Sequence, residues 1–252
     1  MQVLMADGSP DAALVEGING ISGHLPGFLD SFLSFCGEYG LPLASVAMVV
    51  VTWMWARRQA RPLNTVAGVS WALLGGVVAL MLNVPVRALV ARPRPFVEYP
   101  DQVKPLVEHA ANGSFASDHA TFTMAVAVGL LLVHRKYGLI AGGIALAEGF
   151  LRVFMGVHYP SDIIGGYALA AATVLLLAPL AMALLVPSAH RLSATRIGPA
   201  LAAAVPAAGP AGPAGELPRQ RRGGRRGRGS RGRAGGGRGR DHDPEANQHL
   251  AA

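Results

Sequence analysis

The sequence predicts an all-α fold: a polytopic membrane helical bundle of about five transmembrane helices, with an N-terminal interfacial amphipathic helix and a disordered C-terminal tail. Two observations lead to this prediction. Of the 252 residues, 51% are hydrophobic and only 15% are charged, and the mean hydropathy is +0.36. Apolar runs long enough to cross a bilayer recur between residues 41 and 186. An ordinary soluble domain of this length is less apolar, so we interpret the chain as a membrane protein.

The net charge of +7 belongs to one segment of the chain. Ten of the 22 basic residues lie between Arg219 and Arg240, whereas residues 1–215 carry 12 basic and 11 acidic residues. We expect residues 1–187 to form the membrane domain and residues 188–252, rich in Ala, Pro and Gly and then in Arg and Gly, to form a disordered cytoplasmic tail. The arginines suit anionic lipid headgroups, and nucleic acid is the less favoured partner beside a membrane. A solvated tail without a dedicated partner is the alternative.

The N-terminal segment is acidic and lacks the basic stretch that begins a signal peptide, so we expect none. Phe and Leu recur at helical spacing between Leu25 and Tyr39, which favours an amphipathic helix lying in the interface. A short soluble helix is the alternative. The single cysteine, Cys36, excludes an intrachain disulfide and a multi-cysteine metal site.

Five apolar runs are predicted to span the plasma membrane: approximately residues 41–56, 66–84, 120–133, 139–157 and 163–186. Short basic connections follow the first, third and fifth runs, which places those ends in the cytoplasm. The loop of residues 85–118 and the turn of residues 157–162 are then extracytoplasmic. The loop nevertheless carries four basic residues, and we interpret them as retained for chemistry.

The turn before the fifth run gathers Arg152, His158 and Asp162 at the end of an almost uncharged segment. Such groups are costly to desolvate, which makes them a functional-site hypothesis. Pro160 favours a helix start, so Asp162 falls in the first turn and can hold one imidazole nitrogen while the other attacks. A capping aspartate beside an interfacial histidine is the alternative.

Two further groups fall on the same predicted face. Arg87 and Arg94, the latter followed by Pro95, can form forked hydrogen bonds to phosphate oxygens; arginines that snorkel to the interface are the alternative. Ser117 fits the N-cap of the third run, whose free amides attract an anion that His119 also faces. A cap with a chance histidine is the alternative there.

Four other polar residues need an account. We expect Asp118 to pair with an arginine or a water, and Glu148 to form a buried ion pair with an arginine. His109 is interpreted as a solvated loop residue, and contact with a second phosphate is the alternative. Arg92 has no clear role from its spacing.

Together these groups predict a phosphate site with two histidines of different role. Phosphoryl transfer depends mainly on positioning and on charge stabilisation. Three arginines and a helix N-terminus hold the phosphate oxygens, His158 attacks phosphorus, and His119 protonates the leaving oxygen. Water then hydrolyses the phosphohistidine with His119 as base. We expect no metal and no other cofactor, because no carboxylate cluster suggests one.

The order of these motifs resembles the three-motif signature of the type 2 phosphatidic acid phosphatase superfamily over about residues 15–185: Arg87-x6-Arg94-Pro95, Ser117-x-His119 and Arg152-x5-His158-x3-Asp162. Within it, residues 92–96, 115–120 and 156–162 are most similar to the bacitracin-resistance type of undecaprenyl-diphosphate phosphatase. The resemblance implies that His158 is the nucleophile, Asp162 its partner and His119 the acid. It implies phosphate binding by Arg87, Arg94, Ser117 and Arg152.

The chain departs from the family pattern at four positions: Arg87 for the usual Lys, Ala116 for Pro, Asp118 for Gly, and Leu151 for Ser. Only the change at Leu151 removes a hydroxyl from the phosphate shell. We expect that departure to lower activity or to shift substrate preference.

The resulting hypothesis is a membrane phosphatase that removes the terminal phosphate from a polyprenyl diphosphate at the outer face, recycles a cell-wall lipid carrier and confers bacitracin resistance. A second hypothesis keeps the fold and changes the substrate to phosphatidate, phosphatidylglycerol phosphate or another prenyl phosphate. A third is a non-catalytic protein that binds or moves anionic lipids. A pure binder does not need two histidines with a carboxylate.

Overall fold

The computed structural model describes residues 9–196 and 198–202. Helices α1 to α9 follow one another in that part of the chain, with no strand among them, over the ranges Pro10–Asn19, Gly27–Phe35, Leu41–Ala56, Pro62–Val90, Pro95–Glu98, Asp118–Val133, Arg135–Phe154, Pro160–Ser193 and Gly198–Leu201. A 3₁₀ turn, Gly20–His24, follows α1, and a π turn, Cys36–Gly40, follows α2. The predicted all-α membrane bundle is confirmed.

Within the described residues, four helical stretches are long and apolar enough to cross a membrane: Gly27–Ala56, Pro62–Glu98, Arg135–Phe154 and Pro160–Ser193. The apolar helix α6 is shorter, with 16 residues, and it occupies the third predicted span. The observed helices are longer than the predicted spans. Their first and last turns contain polar residues, which hid the true helix limits in the sequence.

The predicted separate interfacial helix is different in the structure. Its residues form α2, which passes through the π turn directly into α3, so that Gly27–Ala56 is one continuous helical stretch. The exposed side chains of Phe28, Phe32 and Phe35 account for the amphipathic spacing. Periodicity alone cannot tell a separate interfacial helix from the first turns of a spanning one.

The small residues of helix α4 allow close packing against its neighbours. A Cβ at Gly75 would lie 3.0 Å from Cγ2 of Val174 in α8, and a Cβ at Gly76 would lie 3.0 Å from a ring carbon of Phe122 in α6. From the other side, a Cβ at Gly129 of α6 would lie 2.4 Å from the Cα of Ala72. Helices α4 and α6 are therefore in contact nearly backbone to backbone, and α8 packs closely on α4 through the side chain of Val174.

The alternating direction of the long helices brings four helix ends together. The end of α4, the start of α6, the end of α7 and the start of α8 meet at one end of the bundle. Ser117 N donates to Asp162 O over 3.3 Å there, and Asn83 Nδ2 donates to Ala116 O over 2.8 Å. This end carries the predicted site.

The N-terminal helix α1, which the sequence did not reveal, packs on the same end. Val15 is fully buried with Val103, Val153 and Tyr159. At the other terminus, α8 continues to Ser193, six residues beyond the predicted limit of the membrane domain. The Arg/Gly-rich part of the predicted tail lies outside the described residues.

Candidate active site

His158 lies in the tight turn between α7 and α8. The turn reverses the chain through Gly156, whose φ is +72°, a conformation that favours glycine. Pro160 is the first residue of α8, as predicted, and Asp162 Oδ2 accepts from Tyr159 N over 2.9 Å. The His158 side chain is 97% buried, so the turn presents an imidazole that bulk water barely reaches.

The contacts of His158 define its tautomer. Arg94 Nη1 lies 3.3 Å from Nε2 of His158, and a guanidinium can only donate. Nε2 therefore carries the lone pair and Nδ1 carries the proton. Nδ1 lies 3.6 Å from Oδ2 of Asp162, which is too long for a hydrogen bond, and it has no other partner among the described residues.

The electrostatic surroundings keep this imidazole neutral. Burial, then the charges of Arg152 and Arg94, and further those of His109 and His119, hold the pKa of His158 well below its usual range. Four cationic or titratable groups from separate segments are thus near enough to act on one ring. A neutral imidazole with an unshared pair at Nε2 is the form that can act as a nucleophile.

Arg94 is fixed by a fork of hydrogen bonds. Its Nε and Nη2 donate to Oδ1 of Asn112 over 3.0 Å and 2.7 Å, and its Nη1 donates to the carbonyl of Val157 over 2.9 Å. The side chain is buried. Because a planar guanidinium held at three points cannot swing away, Arg94 stays beside Nε2 of His158.

Arg152, on the last turn of α7, is fully buried. Its Nη1 donates to Glu38 Oε2 over 2.8 Å, whereas its Nε and Nη2 have no partner among the described residues. The expectation that Glu148 pairs with an arginine is wrong. Glu148 is buried, and neither of its carboxylate oxygens is hydrogen-bonded to a described residue. Arg152 instead pairs with the carboxylate of Glu38, which lies 114 residues before it in the chain.

The start of α6 carries the second histidine. Ser117 is the N-cap, as predicted, and its Oγ accepts from Ala120 N over 3.4 Å. His119 follows in the first turn, and its Nε2 lies 3.4 Å from the carbonyl oxygen of Glu38. Glu38 therefore contacts His119 through its backbone and Arg152 through its side chain, and it brings these two predicted residues together.

Arg87 lies at the end of α4 and contacts the start of α6. Its Nη2 is 2.6 Å from Asp118 Oδ2 and 3.2 Å from the carbonyl of Ala116. The expected pairing of Asp118 with an arginine is therefore present. Arg87 and Asn112, the residue that accepts from Arg94, line a common cavity of about 480 Å³.

Two residues that were left out of the predicted site belong to it. The ring of His109 lies 6.4 Å, centroid to centroid, from that of His158, so its interpretation as a solvated loop residue is wrong. Partial burial and the charges of Arg94 and Arg152 lower the pKa of His109 to about 4.

Arg92 is the second of these residues. It donates from Nη1 to Ser161 Oγ over 2.6 Å and to Asp162 Oδ1 over 3.2 Å. Arg92 thus holds the carboxylate that faces His158.

The sequence is similar to known proteins. The family model of the PAP2 superfamily matches residues 68–185. The undecaprenyl-diphosphatase BcrC of Bacillus subtilis is 32% identical over 157 residues, which make up 62% of this chain and 77% of that protein. The chain belongs to the PAP2 superfamily.

Two further likenesses concern a second sequence relative and a solved structure. A protein named bacitracin transport permease protein BcrC, from Bacillus licheniformis, is 30% identical over 138 residues, 55% of this chain and 64% of that protein. The crystal structure of Aquifex aeolicus LpxE shares the fold, with a TM-score of 0.53 at 18% identity over 69% of this chain and 98% of that one.

The PAP2 match contains every predicted site residue but not every residue of the site. Asp11, whose Oδ2 accepts from Arg92 Nη2 over 2.8 Å, and Glu38 both precede residue 68 and lie in segments that no motif marks. Both are among several acidic residues of the N-terminal segment, and nothing in the sequence distinguishes them from the others. Among residues 9–196 and 198–202, His, Cys, Asp and Glu side chains form no group of three that could hold a metal ion.

Proposed function

We propose that this PAP2 phosphatase hydrolyses the terminal phosphate of a polyprenyl diphosphate, with undecaprenyl diphosphate as the first substrate to test, through a phosphohistidine at Nε2 of His158. One observation carries the proposal: a buried, neutral imidazole whose free electron pair faces a fixed guanidinium. A site that only bound phosphate would be served by the arginines alone.

In the first step, Nε2 of His158 attacks the terminal phosphorus and the bond to the bridging oxygen breaks. Arg94 Nη1 and the unpartnered Nε and Nη2 of Arg152 are the donors proposed for the phosphate oxygens. The proton on Nδ1 stays with the ring and faces Asp162, which stabilises the positive charge that develops. His119 gives its proton to the leaving oxygen, so the lipid departs as the monophosphate.

In the second step, water attacks the phosphohistidine. His119, now neutral, takes the proton of that water, and the P–N bond breaks to release inorganic phosphate and restore His158. Arg87 and Ser117 are proposed to act at the edge of the site: Ser117 caps the helix whose first turn carries His119, and Arg87 holds Asp118.

The proposed substrate and location rest on similarity and on charge patterning. The B. subtilis relative is named an undecaprenyl-diphosphatase, and the apolar helix faces suit a polyprenyl tail. We propose that the site faces the outside of the plasma membrane, where it returns the lipid carrier of cell-wall synthesis to use and lowers bacitracin sensitivity. We propose that the Arg/Gly-rich tail is cytoplasmic and contacts anionic lipids.

Phosphate release by the full chain in detergent tests the reaction. We expect turnover of undecaprenyl diphosphate, a loss on the order of 10³-fold or more in His158→Asn, and wild-type turnover in His190→Asn, an exposed histidine far from the turn. Rapid acid-free quenching should trap phosphate on the wild-type protein and none on His158→Asn. Full activity in His158→Asn would contradict the mechanism.

A substrate panel at matched detergent concentration separates the alternatives, because the arginines bind only the phosphate. Preference for phosphatidate, phosphatidylglycerol phosphate or another prenyl phosphate would keep the mechanism and change the substrate. No hydrolysis of any member, with binding retained, would favour the third hypothesis, an anionic-lipid binder or transporter. The name of the B. licheniformis relative is the observation that keeps this last alternative in the panel.

A further inference from the structure

We propose that Asp11, on the N-terminal helix α1, is a positioning residue for His158: it caps helix α8 from a distant part of the chain and sets the orientation of Asp162. The inference rests on the proposed function. It assigns a role to a helix that lies before the PAP2 match, and it is carried by the contacts of α1 at both ends of the His158 turn.

The first contact supplies a missing helix cap. The residue before α8 is Tyr159, and Pro160 has no N–H, so the first free N–H of this helix belongs to Ser161. Ser161 N donates to Asp11 Oδ1 over 3.1 Å, and Ser161 Oγ donates to Asp11 Oδ2. A carboxylate 150 residues away therefore does what a local Asp or Ser does at most helix starts, and its charge matches the positive end of the helix.

The second contact links Asp11 to the carboxylate of Asp162. Arg92 Nη2 donates to Asp11 Oδ2 over 2.8 Å, while its Nη1 reaches Asp162 Oδ1 at 3.2 Å. Its guanidinium lies 3.6 Å above the ring centre of Tyr159. Arg92 is thereby held between two carboxylates, and Asp162 is fixed at both oxygens, by Arg92 and by Tyr159 N.

The third contact lies at the other end of α1. Asn19, which is buried, donates from Nδ2 to the carbonyls of Phe154 and Lys104 over 2.8 Å and 3.0 Å, and it accepts from Lys104 N over 2.9 Å. Phe154 precedes the His158 turn and Ser161 follows it. One short helix is therefore fastened on both sides of the segment that carries the nucleophile.

The charge of Asp11 has a definite consequence for the reaction. With Asp11 present, Arg92 divides its donors between two carboxylates. Without it, Arg92 is free to close on Asp162 alone, which draws Oδ2 and its negative charge away from the Nδ1–H of His158. Attack at Nε2 then has a poorer counterion and a poorly oriented ring, whereas Arg94 and Arg152, which hold the phosphate, are untouched.

Asp11→Asn is the test, because it keeps the shape and removes the charge, and Glu16→Gln, which removes a carboxylate from the same helix, is the matched control. On the best substrate of the panel we expect kcat to fall roughly 10- to 100-fold in Asp11→Asn. KM and the inhibition constant of inorganic phosphate should stay within about twofold, and Asp11→Glu should recover part of kcat. If Asp11→Asn only reduced the amount of folded protein, the fraction of active enzyme would fall. Asp11→Glu would then not restore kcat when the two variants have the same thermal midpoint.

A second measurement does not depend on turnover. Spectra of ¹⁵N-histidine-labelled protein in detergent report both ring nitrogens of His158, identified by their loss in His158→Asn. We expect Asp11→Asn to move these signals and Glu16→Gln to leave them in place. Unmoved signals, or wild-type kcat in Asp11→Asn, would overturn the inference. If the wild type hydrolysed no member of the panel, the proposed function would fail, and the spectra alone would decide whether Asp11 positions His158.

Discussion

Nη1 of Arg94 lies 3.3 Å from Nε2 of His158, and this one contact determines which imidazole nitrogen is free to react. The guanidinium has no acceptor, so Nε2 must present its electron pair to Arg94. A phosphate bound beside both groups would receive the nitrogen's electrons on phosphorus and the arginine's hydrogen bond on an oxygen. The nucleophilic nitrogen of His158 and the positive charge of Arg94, which offsets the negative charge of the phosphate, are thus side by side before substrate arrives.

Arg94→Lys should lower kcat/KM about 100-fold, although the charge is retained. Lysine cannot reproduce the fork on Asn112 or hold the Val157 carbonyl at the same time, and charge-assisted hydrogen bonds are worth about 1.5–3 kcal/mol each. Steady-state phosphate release measures the effect. Asn112→Ala should show a smaller loss of the same kind, and wild-type kcat/KM in Arg94→Lys would refute the importance of the fork.

Glu38→Gln should strengthen the binding of inorganic phosphate. The Glu38 carboxylate occupies Nη1 of Arg152 and repels an incoming anion, and a partly exposed pair of this kind is worth about 1 kcal/mol, or roughly fivefold in affinity. Competitive inhibition by phosphate measures the change. Glu108→Gln, in the exposed part of the loop, is the control, and weaker phosphate binding in Glu38→Gln would show that the carboxylate mainly orients Arg152.

His109 should make the protein less stable in acid. Its pKa is lowered to about 4 in the folded protein, against an ordinary value of about 6.5. Between these two values the unfolded chain binds a proton that the folded protein does not, so stability falls as the pH drops from about 6.5 to about 4.

His109→Gln removes that contribution. The thermal midpoint in detergent should therefore decline less steeply over this pH interval than in the wild type. Some decline should remain, because the pKa of His158 is lowered as well. His24→Gln, an exposed substitution at a distance from the site, should retain the wild-type slope; an unchanged slope in His109→Gln would contradict the assignment.

Glu148→Leu should stabilise the bundle. Both carboxylate oxygens of Glu148 are buried without a hydrogen-bond partner among the described residues, and an unsatisfied buried polar group costs roughly 1–3 kcal/mol in proteins. Leucine has a similar volume and no polar atom. Denaturation in a fixed detergent measures the change, with Glu148→Gln as the control that keeps the polar group, and a lower stability in Glu148→Leu would point to an unrecognised partner.

The features that sequence could predict depend on short spacing. Pro160 begins α8, Ser117 caps α6, and Asp162 lies one helical turn after His158; each of these relationships spans at most four residues. The apolar helices α3, α4, α6, α7 and α8 were also predictable as apolar runs, and all of them except α6 belong to stretches long enough to span a bilayer. The positions of Arg94 and Arg152 near His158 followed from the resemblance of the motifs.

The features that sequence could not predict depend on distant pairs. Glu148 was expected to pair with an arginine, but the structure pairs Arg152 with Glu38, and nothing in the local pattern around residue 38 indicates this. Asp11 and Ser161 are separated by 150 residues, and only tertiary packing brings them together. Arg92 had no evident role for the same reason: both of its carboxylate partners lie far away along the chain.

The dependence of the reactive turn on α1 limits how such proteins can be recombined. Asn19 recognises the backbone carbonyls of Phe154 and Lys104, and Asp11 recognises Ser161 and Arg92. A chimera that took its first helix from one relative and its remaining helices from another would keep every motif residue. Its first helix would nevertheless lack matching contacts with the remaining helices unless these partner residues were exchanged together. Helix α1 and the helices that carry the motifs should therefore be transferred as one unit.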